Sequence, residues 1–223
     1  MYALVLDTAT PAVTAAVVEL TGAAVTVRSV RTTVNPRAHG ELLAPGIRAA
    51  LAEAGVAMPE LGAVVAGVGP GPYTGLRVGL VTAIAIGQVL GVPSYGVCSL
   101  DGIGGADPGP GRLVAATDAR RHEIYWRVYE KAMPVTEPAV DRPDVVAGRI
   151  AVLGVTRAAG EGGVRYADAL GVPAGEPRFP DPLTLAGIAA DRMRSGAPSE
   201  PLAPLYLRRP DAVVPAGRKP VLR

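Results

Sequence analysis

The sequence predicts an α/β protein with a mixed sheet and a second half that repeats the plan of the first. In the N-terminal half three strands, a helix, a strand, a helix and a strand follow one another, an order typical of an α/β domain. The repeat is a strand that ends in an aspartate, a short polar turn and a returning strand, first around Asp7 and again around Asp118. With 49% hydrophobic residues but 28 glycines and 22 prolines, the composition favours a sizeable core with many turns over a helical bundle.

Three short strands open the chain. Residues 2–6 form an apolar run that ends at Asp7, residues 12–20 form a second, and residues 25–30 alternate apolar and polar side chains. The turn D-T-A-T-P and then Gly22 separate these runs, so we expect an antiparallel meander.

A helix over residues 39–54 follows, with one broad apolar face that includes Leu42, Leu43 and Ile47. Gly55 is expected to end it. Pro45 lies inside the pattern, so either it occupies the first helical turn or the helix begins near Ala44. A strand over residues 63–67 comes next, and another is expected at residues 93–97.

Between those strands, residues 75–90 predict a helix that is apolar all round, with Arg77 as its only charge. Such a helix should be covered by protein on every side, and it is too short to span a bilayer. Small residues recur every four positions beside a ridge of larger ones, which predicts a close approach by another backbone. We expect this helix and helix 39–54 to pack together and to present part of one residue set to a second chain: Leu42, Leu43, Ile47, Leu76, Gly79, Leu80, Ala83, Ile84 and Gly87.

The second half begins after a turn-rich junction at residues 101–111. We expect a larger N-terminal lobe over residues 1–105, which carries the dimerisation helices, and an eroded lobe over 106–223 whose last segment is a candidate for returning to the first. The expected elements of the second lobe are strands at 113–117, 124–129, 150–154 and 201–209, a short helix at 163–170, a helix at 183–194 and a frayed tail.

The glycine-rich loop before helix 75–90 fits neither common phosphate motif. A P-loop needs a lysine where Leu76 stands, and a dinucleotide fingerprint needs a third glycine where Thr74 stands. Pro70 and Pro72 also remove two backbone donors. This pattern favours a structural turn over a phosphate cradle.

Two strand-end aspartates, Asp7 and Asp118, are either the holders of a metal–nucleotide complex between two lobes or simple turn caps. His39, His122 and Cys98 have no partners at metal-ligand spacing. Arg120, Arg121 and His122 form one basic cluster, read either as a contact for RNA or an acidic partner or as a solvated hairpin.

The remaining bulk properties exclude several classes. A net charge of +2 argues against a strongly basic nucleic-acid footprint, and a single cysteine excludes an internal disulfide framework. The N-terminal M-Y-A-L-V-L-D lacks the basic region of a signal peptide, so we expect a cytoplasmic protein with no membrane partner.

Four motifs together resemble the bacterial TsaB (YeaZ) family: D-T-A-T at 7–10, H-G-E-L-L-A-P at 39–45, G-P-G-P-Y-T-G-L-R-V-G at 69–79 and D-A-R-R-H-E-I-Y at 118–125. P-L-Y-L-R at 204–208 adds to the match, and Pro72-Tyr73 departs from the usual Ser-Phe. The resemblance implies a two-lobed actin-like (ASKHA, RNase H-like) fold with a mixed sheet, led by a β-hairpin, in each lobe. It also implies a role in making N6-threonylcarbamoyladenosine on the tRNA adenosine beside the anticodon.

In that family the catalytic partner TsaD carries a metal-binding H-x-x-x-H, and this sequence has Ser99 and Ile103 at the matching positions. The resemblance therefore implies a non-catalytic scaffold that docks on TsaD in a complex that also contains TsaE. It further implies that the chain forms a homodimer when alone and contacts tRNA only through the complex. No tightly bound cofactor is expected, with ATP entering only through partners, and Asp7, Thr8 and Asp118 are candidate vestigial nucleotide-binding residues. The alternative is an enzyme in its own right, an ATP-dependent carbamoyltransferase or a glycoprotease-like peptidase.

Overall fold

The structure is a computed structural model, and it describes residues 1–208. A five-stranded mixed sheet forms its first half, in the order β3-β2-β1-β4-β5. The three N-terminal strands pair antiparallel, whereas β1–β4 and β4–β5 pair parallel. The strands are β1 (Tyr2–Asp7), β2 (Ala12–Thr21), β3 (Ala24–Val34), β4 (Leu61–Gly67) and β5 (Ser94–Val97).

Both faces of this sheet are covered. Leu4 and Leu6 of β1 point to the face covered by α1 (His39–Ala54) and α2 (Tyr73–Leu90). Ala3 and Val5 point to the opposite face, where α7 (Pro182–Arg194) supplies Leu185, Ala186, Ala189, Ala190 and Met193. A central strand buried on both faces reads as a continuous apolar run, as β1 does.

The two helices of the first half end at the predicted residues, and α1 begins well before its internal proline. Gly55 and Gly91 follow α1 and α2 with φ of 66° and 67°, the left-handed conformation that glycine adopts without strain. Pro45 lies in the second turn of α1, so both alternatives, a place in the first helical turn and a helix start near Ala44, are wrong, whereas the predicted range 39–54 is confirmed. The exposed side of α1 tolerates the proline because the carbonyl that it leaves free there can reach water.

A second mixed sheet repeats the plan, in the order β11-β10-β6-β7-β8, with β9 also paired to β7. Within it β6 pairs antiparallel with β7 and parallel with β10, and β10 pairs parallel with β11. The strands are β6 (Arg112–Asp118), β7 (Ile124–Glu130), β8 (Met133–Pro134), β9 (Ala139–Asp141), β10 (Val155–Ala159) and β11 (Ala174–Gly175). The predicted fold class, two α/β mixed sheets each led by a β-hairpin, is confirmed.

The remaining helices are α3 (Asp101–Gly104), at the junction between the halves, and α4 (Pro143–Val152), α5 (Glu161–Arg165) and α6 (Ala167–Leu170) in the second half. The strand expected at 150–154 is wrong, because Val146 and Ile150, four residues apart, face the core from α4. The helix expected at 163–170 is split at Tyr166, and β10 was missed. The strand expected at 201–209 is absent over residues 201–208, where Pro201 and Pro204 remove ladder donors.

The chain returns to the first sheet after it completes the second. Helix α7 packs on the first sheet, and Leu202 joins the core on the side of α1 and α2. The lobe boundary near residue 105 stays a prediction, and residue 209 and the tail lie outside the described residues.

Within residues 1–208, one helix, α2, is long and apolar enough to cross a membrane by length and composition, which on its own is weak evidence for a membrane span. The core helix of a compact fold passes the same test. In α2, Leu76, Leu80 and Ala83 belong to the hydrophobic core against the sheet.

Candidate functional site

A cleft of about 160 Å³ lies where the β1–β2 turn, the start of α1 and the start of α2 meet the second sheet. Its lining from the first half is Thr8, Thr10, Pro11, Pro36, Arg37, His39, Gly40, Pro72, Thr74, Gly75 and Val78. The second half contributes Asp118, the last residue of β6, and Arg120, which lies in the turn after it. Of the residues that the sequence singled out for a nucleotide, Thr8 and Asp118 reach this cleft.

Asp7 does not line the cleft. Its side chain is buried beneath the turn, where it accepts hydrogen bonds from the Ser99 hydroxyl at 2.6 Å and from the Ala9 backbone N–H at 3.0 Å. Ser99 Oγ in turn accepts the Gly69 N–H at 3.1 Å, so the carboxyl ends of β1, β4 and β5 are tied together. Burial raises the pKa of Asp7 to about 6, against the lowering effect of these hydrogen bonds.

Asp118 is half-buried at the equivalent strand end and has different partners. Its carboxylate pairs with Arg165 at 3.4 Å and accepts a long hydrogen bond from the Tyr166 hydroxyl, while its backbone N–H donates to Glu161 at 2.9 Å. The two aspartates therefore occupy matching positions of the two sheets, but only one of them lines the cleft.

The Thr8 hydroxyl is inserted into helix α2. It donates to the carbonyl of Gly75 at 2.8 Å and accepts the N–H of Gly79 at 3.0 Å, the two groups that an α-helix pairs with each other. A Cβ at Gly79 would overlap this hydroxyl, so the glycine is required by the close approach of the turn.

The glycine-rich loop lies directly on the β1–β2 turn. A Cβ added at Gly71 would overlap the backbone of Ala9, and the N–H groups of Val68 and Gly69 already donate to Val97 and Ser99. The chain's own loop therefore occupies the space above the β1–β2 turn, and two of its N–H groups are already bonded. This geometry favours the structural turn over the phosphate cradle.

Ser99 was missed as a site residue by the sequence analysis, which noted it only as a replaced histidine. A signal was available, since Ser99 follows β5 and Asp7 ends β1 at the same edge of the sheet. Ile103, at the other replaced position, is fully buried against Leu100, Leu113 and Tyr129.

Most of the residues predicted to face a second chain are not on the surface of the structure. Seven of its members are buried in the core of the chain itself: Leu43, Ile47, Leu76, Gly79, Leu80, Ala83 and Gly87. The small-residue stripe meets the β1–β2 turn and β5 rather than another molecule, with Gly79 against Thr8 and Gly87 against Ser94. Leu42 is half-buried and Ile84 exposed, and an interface on these helices stays a prediction.

Other residues form the uncovered side of α2. Val81 is 62% exposed and Val89 83%, and Ala85 and Gln88 lie beside Ile84 between them. We call Val81, Ile84, Ala85, Gln88 and Val89 the outer face of α2. Neighbouring α1, which packs on α2, exposes the small residues Ala44, Ala49 and Ala52.

The basic cluster forms a strained turn between β6 and β7. Arg120, Arg121 and His122 have φ of 61°, 52° and 60°, a left-handed conformation that costs about 1 kcal/mol or more for each non-glycine residue. The Ala119 N–H donates to the Glu123 carbonyl at 2.9 Å and the Glu123 N–H donates to the Arg120 carbonyl at 3.0 Å, which closes the turn.

Comparisons with known proteins match this chain to one family model and to several relatives. The family model described as TsaD, tRNA N6-adenosine threonylcarbamoyltransferase, matches residues 30–196. An uncharacterized protein of Mycobacterium tuberculosis (strain H37Rv) is 46% identical over 94% of this chain and 92% of its own length. A longer uncharacterized protein of Mycobacterium leprae is 45% identical over 98% of this chain, which spans 58% of that relative. The protein of Escherichia coli (strain K12) named tRNA threonylcarbamoyladenosine biosynthesis protein TsaB is 37% identical over 101 residues, 43% of each chain.

Solved structures show the same relationship at the level of the fold. YeaZ from Pseudomonas aeruginosa superimposes with a TM-score of 0.74 at 27% identity, covering 92% of this chain and 99% of that one. A second Pseudomonas aeruginosa structure, described as similar to peptidase YEAZ, gives a TM-score of 0.76 at 29% identity over 93% and 99% of the two chains.

Proposed function

The chain belongs to the YeaZ (TsaB) family, within the wider family that the TsaD model describes, and on that basis we propose that it is a non-catalytic, activating subunit in the synthesis of tRNA N6-threonylcarbamoyladenosine. In this proposal it acts in the cytoplasm, docks on a TsaD-type transferase with TsaE as a further member, and pairs with itself when that partner is absent. Nucleotide enters through the partners.

The outer face of α2 is the observation that carries the proposal. Among the described residues, Val81 and Val89 are mostly exposed and Ile84 is partly exposed, although a helix of this composition belongs in a protein interior. Helix α1, which packs on α2, exposes small residues that would let a second pair of helices approach closely, as ridges packing into grooves require. A contiguous apolar surface of this kind marks a protein contact.

The state of the cleft supports a subunit without chemistry of its own. The Asp7 carboxylate and the Thr8 hydroxyl are bonded inside the chain, and Ser99 and Ile103 are buried where TsaD-type sequences have their metal-binding histidines. No specific observation favours the alternative of a carbamoyltransferase or peptidase in its own right.

The experiment compares two exposed valines on different helices. Val81→Glu on the outer face of α2 should reduce binding to a TsaD-type partner in a pull-down and should shift the mass of the chain alone toward the monomer in light scattering. Val152→Glu is the matched control, because Val152 is 89% exposed at the end of α4 in the second half. Both variants should keep the parent's circular dichroism spectrum, since neither side chain is in the core.

The same samples test the activating role. The parent chain should stimulate threonylcarbamoyl transfer to tRNA by the TsaD-type partner, and Val81→Glu should lose most of that stimulation. A well-folded Val81→Glu variant that binds and stimulates like the parent would show that the outer face of α2 is not the docking surface.

A further inference from the structure

The opening of the cleft carries an exposed group of side chains that the proposed subunit contact does not use. We define the cleft mouth as Arg37, Tyr73, Thr74, Arg120 and Tyr206. Arg37, Thr74 and Arg120 line the cleft, and Tyr73 precedes Thr74 at the first position of α2. Tyr206 stacks on Tyr73 with ring centroids 5.3 Å apart.

The mouth bears positive charge without compensation. Among residues 1–208, neither the Arg37 nor the Arg120 guanidinium has a salt-bridge partner, although eleven other pairs are formed across this part of the chain. The one carboxylate that lines the same cleft, Asp118, is already paired with Arg165. Unpaired arginines that converge on one opening are suited to anionic oxygens, above all those of phosphate.

The turn that presents Arg120 is held in place from outside. Arg208 donates to the carbonyl of Ala119 at 3.1 Å and pairs with Glu123 at 2.5 Å, so the two residues on either side of the strained turn are fixed by the segment that carries Tyr206. The left-handed backbone at Arg120 thus belongs to an ordered arrangement that joins the basic turn to the aromatic pair.

The aromatic pair remains accessible. Tyr73 is 57% exposed and Tyr206 is 43% exposed, and the Arg77 guanidinium lies 4.7 Å from the centre of the Tyr73 ring. Exposed tyrosines beside arginines are the combination with which proteins stack the bases and neutralise the phosphates of single-stranded nucleic acid.

A small nucleotide inside the cleft is a poorer fit than an extended ligand across its mouth. The interior is about 160 Å³, below the range of a few hundred Å³ that small-molecule sites occupy. Its floor is the β1–β2 turn, whose Thr8 hydroxyl is already bonded to α2. A ligand that meets both arginines and Tyr206 must lie along the surface.

We propose that the cleft mouth binds single-stranded RNA directly, with Arg37 and Arg120 on phosphates and Tyr206 against a base. This goes beyond the proposed subunit role and beyond what the family resemblance implies, which is contact with tRNA only through the complex. The RNA loop that contains an anticodon has bases that can be unstacked and splayed outward. A surface of arginine and tyrosine side chains recognises RNA in this form.

The test measures fluorescence anisotropy of a labelled RNA stem-loop with an adenosine-containing loop, titrated with the full chain at two salt concentrations. Arg37→Ala combined with Arg120→Ala should weaken binding roughly tenfold or more and should flatten the salt dependence. Arg28→Ala combined with Arg142→Ala removes the same two charges from exposed sites elsewhere and should change little. Tyr206→Ala should weaken binding roughly fivefold or more, and Tyr206→Phe should restore it.

Three results with RNA would overturn the proposal: parent-like affinity of the Arg37/Arg120 variant, equal loss in the control pair, or equal binding of a fully paired RNA duplex. Preferential binding of an acidic peptide over the stem-loop would overturn it as well. The two proposals fail separately. If the chain stimulates a TsaD-type partner but does not bind RNA by itself, only the proposal of an RNA-binding surface is contradicted. RNA binding without such stimulation sinks only the subunit role.

Discussion

The Thr8 hydroxyl joins the β1–β2 turn to helix α2, and Thr8→Val removes it while keeping the shape of the side chain. The hydroxyl makes two buried hydrogen bonds, to the Gly75 carbonyl and from the Gly79 N–H. At about 1 kcal/mol each, their loss costs about 2 kcal/mol. The valine methyl would also lie 2.8–3.0 Å from those polar atoms, closer than carbon packs comfortably, which raises the expected loss to about 2–4 kcal/mol.

Two companion variants separate the hydroxyl from the rest of the side chain. Thr8→Ser keeps both hydrogen bonds and loses one buried methyl group, so it should cost only about 1 kcal/mol. Thr14→Val is the matched control on the neighbouring strand, because buried Thr14 makes a single neutral hydrogen bond, to Thr32 at 3.2 Å. It should cost about 1 kcal/mol.

The assay is urea denaturation followed by circular dichroism, with the slope of the transition unchanged among the variants. The reasoning would be refuted by a Thr8→Val protein within about 0.5 kcal/mol of the parent, a difference smaller than one typical hydrogen bond. It would be refuted equally by a Thr8→Ser protein as unstable as Thr8→Val, since the hydroxyl would then contribute nothing.

Three further predictions concern the titration of Asp7, the burial of Ala83 and the activity of the purified chain. Because burial raises the pKa of Asp7 to about 6, above an unfolded value of about 4, the folded state binds the extra proton. The contribution of Asp7 to the free energy of unfolding is therefore fully present below about pH 4. It is lost as the pH rises through about 6, by up to about 3 kcal/mol at higher pH. Asp7→Asn should remove that slope in denaturation measured across this range, and an unchanged slope would contradict the assignment. Ala83→Arg should fail to fold, as measured by circular dichroism, because Ala83 lies on the fully buried side of α2. A well-folded variant would show that the helix can turn or shift. The purified chain should neither hydrolyse ATP appreciably nor form threonylcarbamoyl-tRNA by itself, and turnover that disappears in Asp118→Ala would argue for the enzyme reading.

Most of the fold was predictable because its signals are local. The strand-end aspartates, the glycines at 55 and 91 and the apolar runs of β1, β2 and β4 depend on neighbours in sequence. The failures lie where packing decides. Residues 150–154 suit a strand by composition, but Ile150 belongs to the buried side of a helix together with Val146.

The candidate site was harder to predict for the same reason. Periodicity showed that α2 has a stripe of small residues, but it could not show whether that stripe meets another chain or the chain's own turn. The answer depends on Thr8, which is 71 residues away from Gly79 in sequence. The partnership of Ser99 with Asp7 spans 92 residues and is likewise set by strand order in the sheet.

The placement of α7 bears on how the chain folds during synthesis. The first sheet is built from residues 2–97, yet one of its apolar faces is covered by a helix that begins at Pro182. While the ribosome makes the intervening second sheet, that face has no native cover, and the unfinished first half is the species most prone to aggregate. The first sheet can therefore finish folding only after α7 has been made. A truncation before Arg194 should destabilise this sheet, although it removes none of the sheet's own residues.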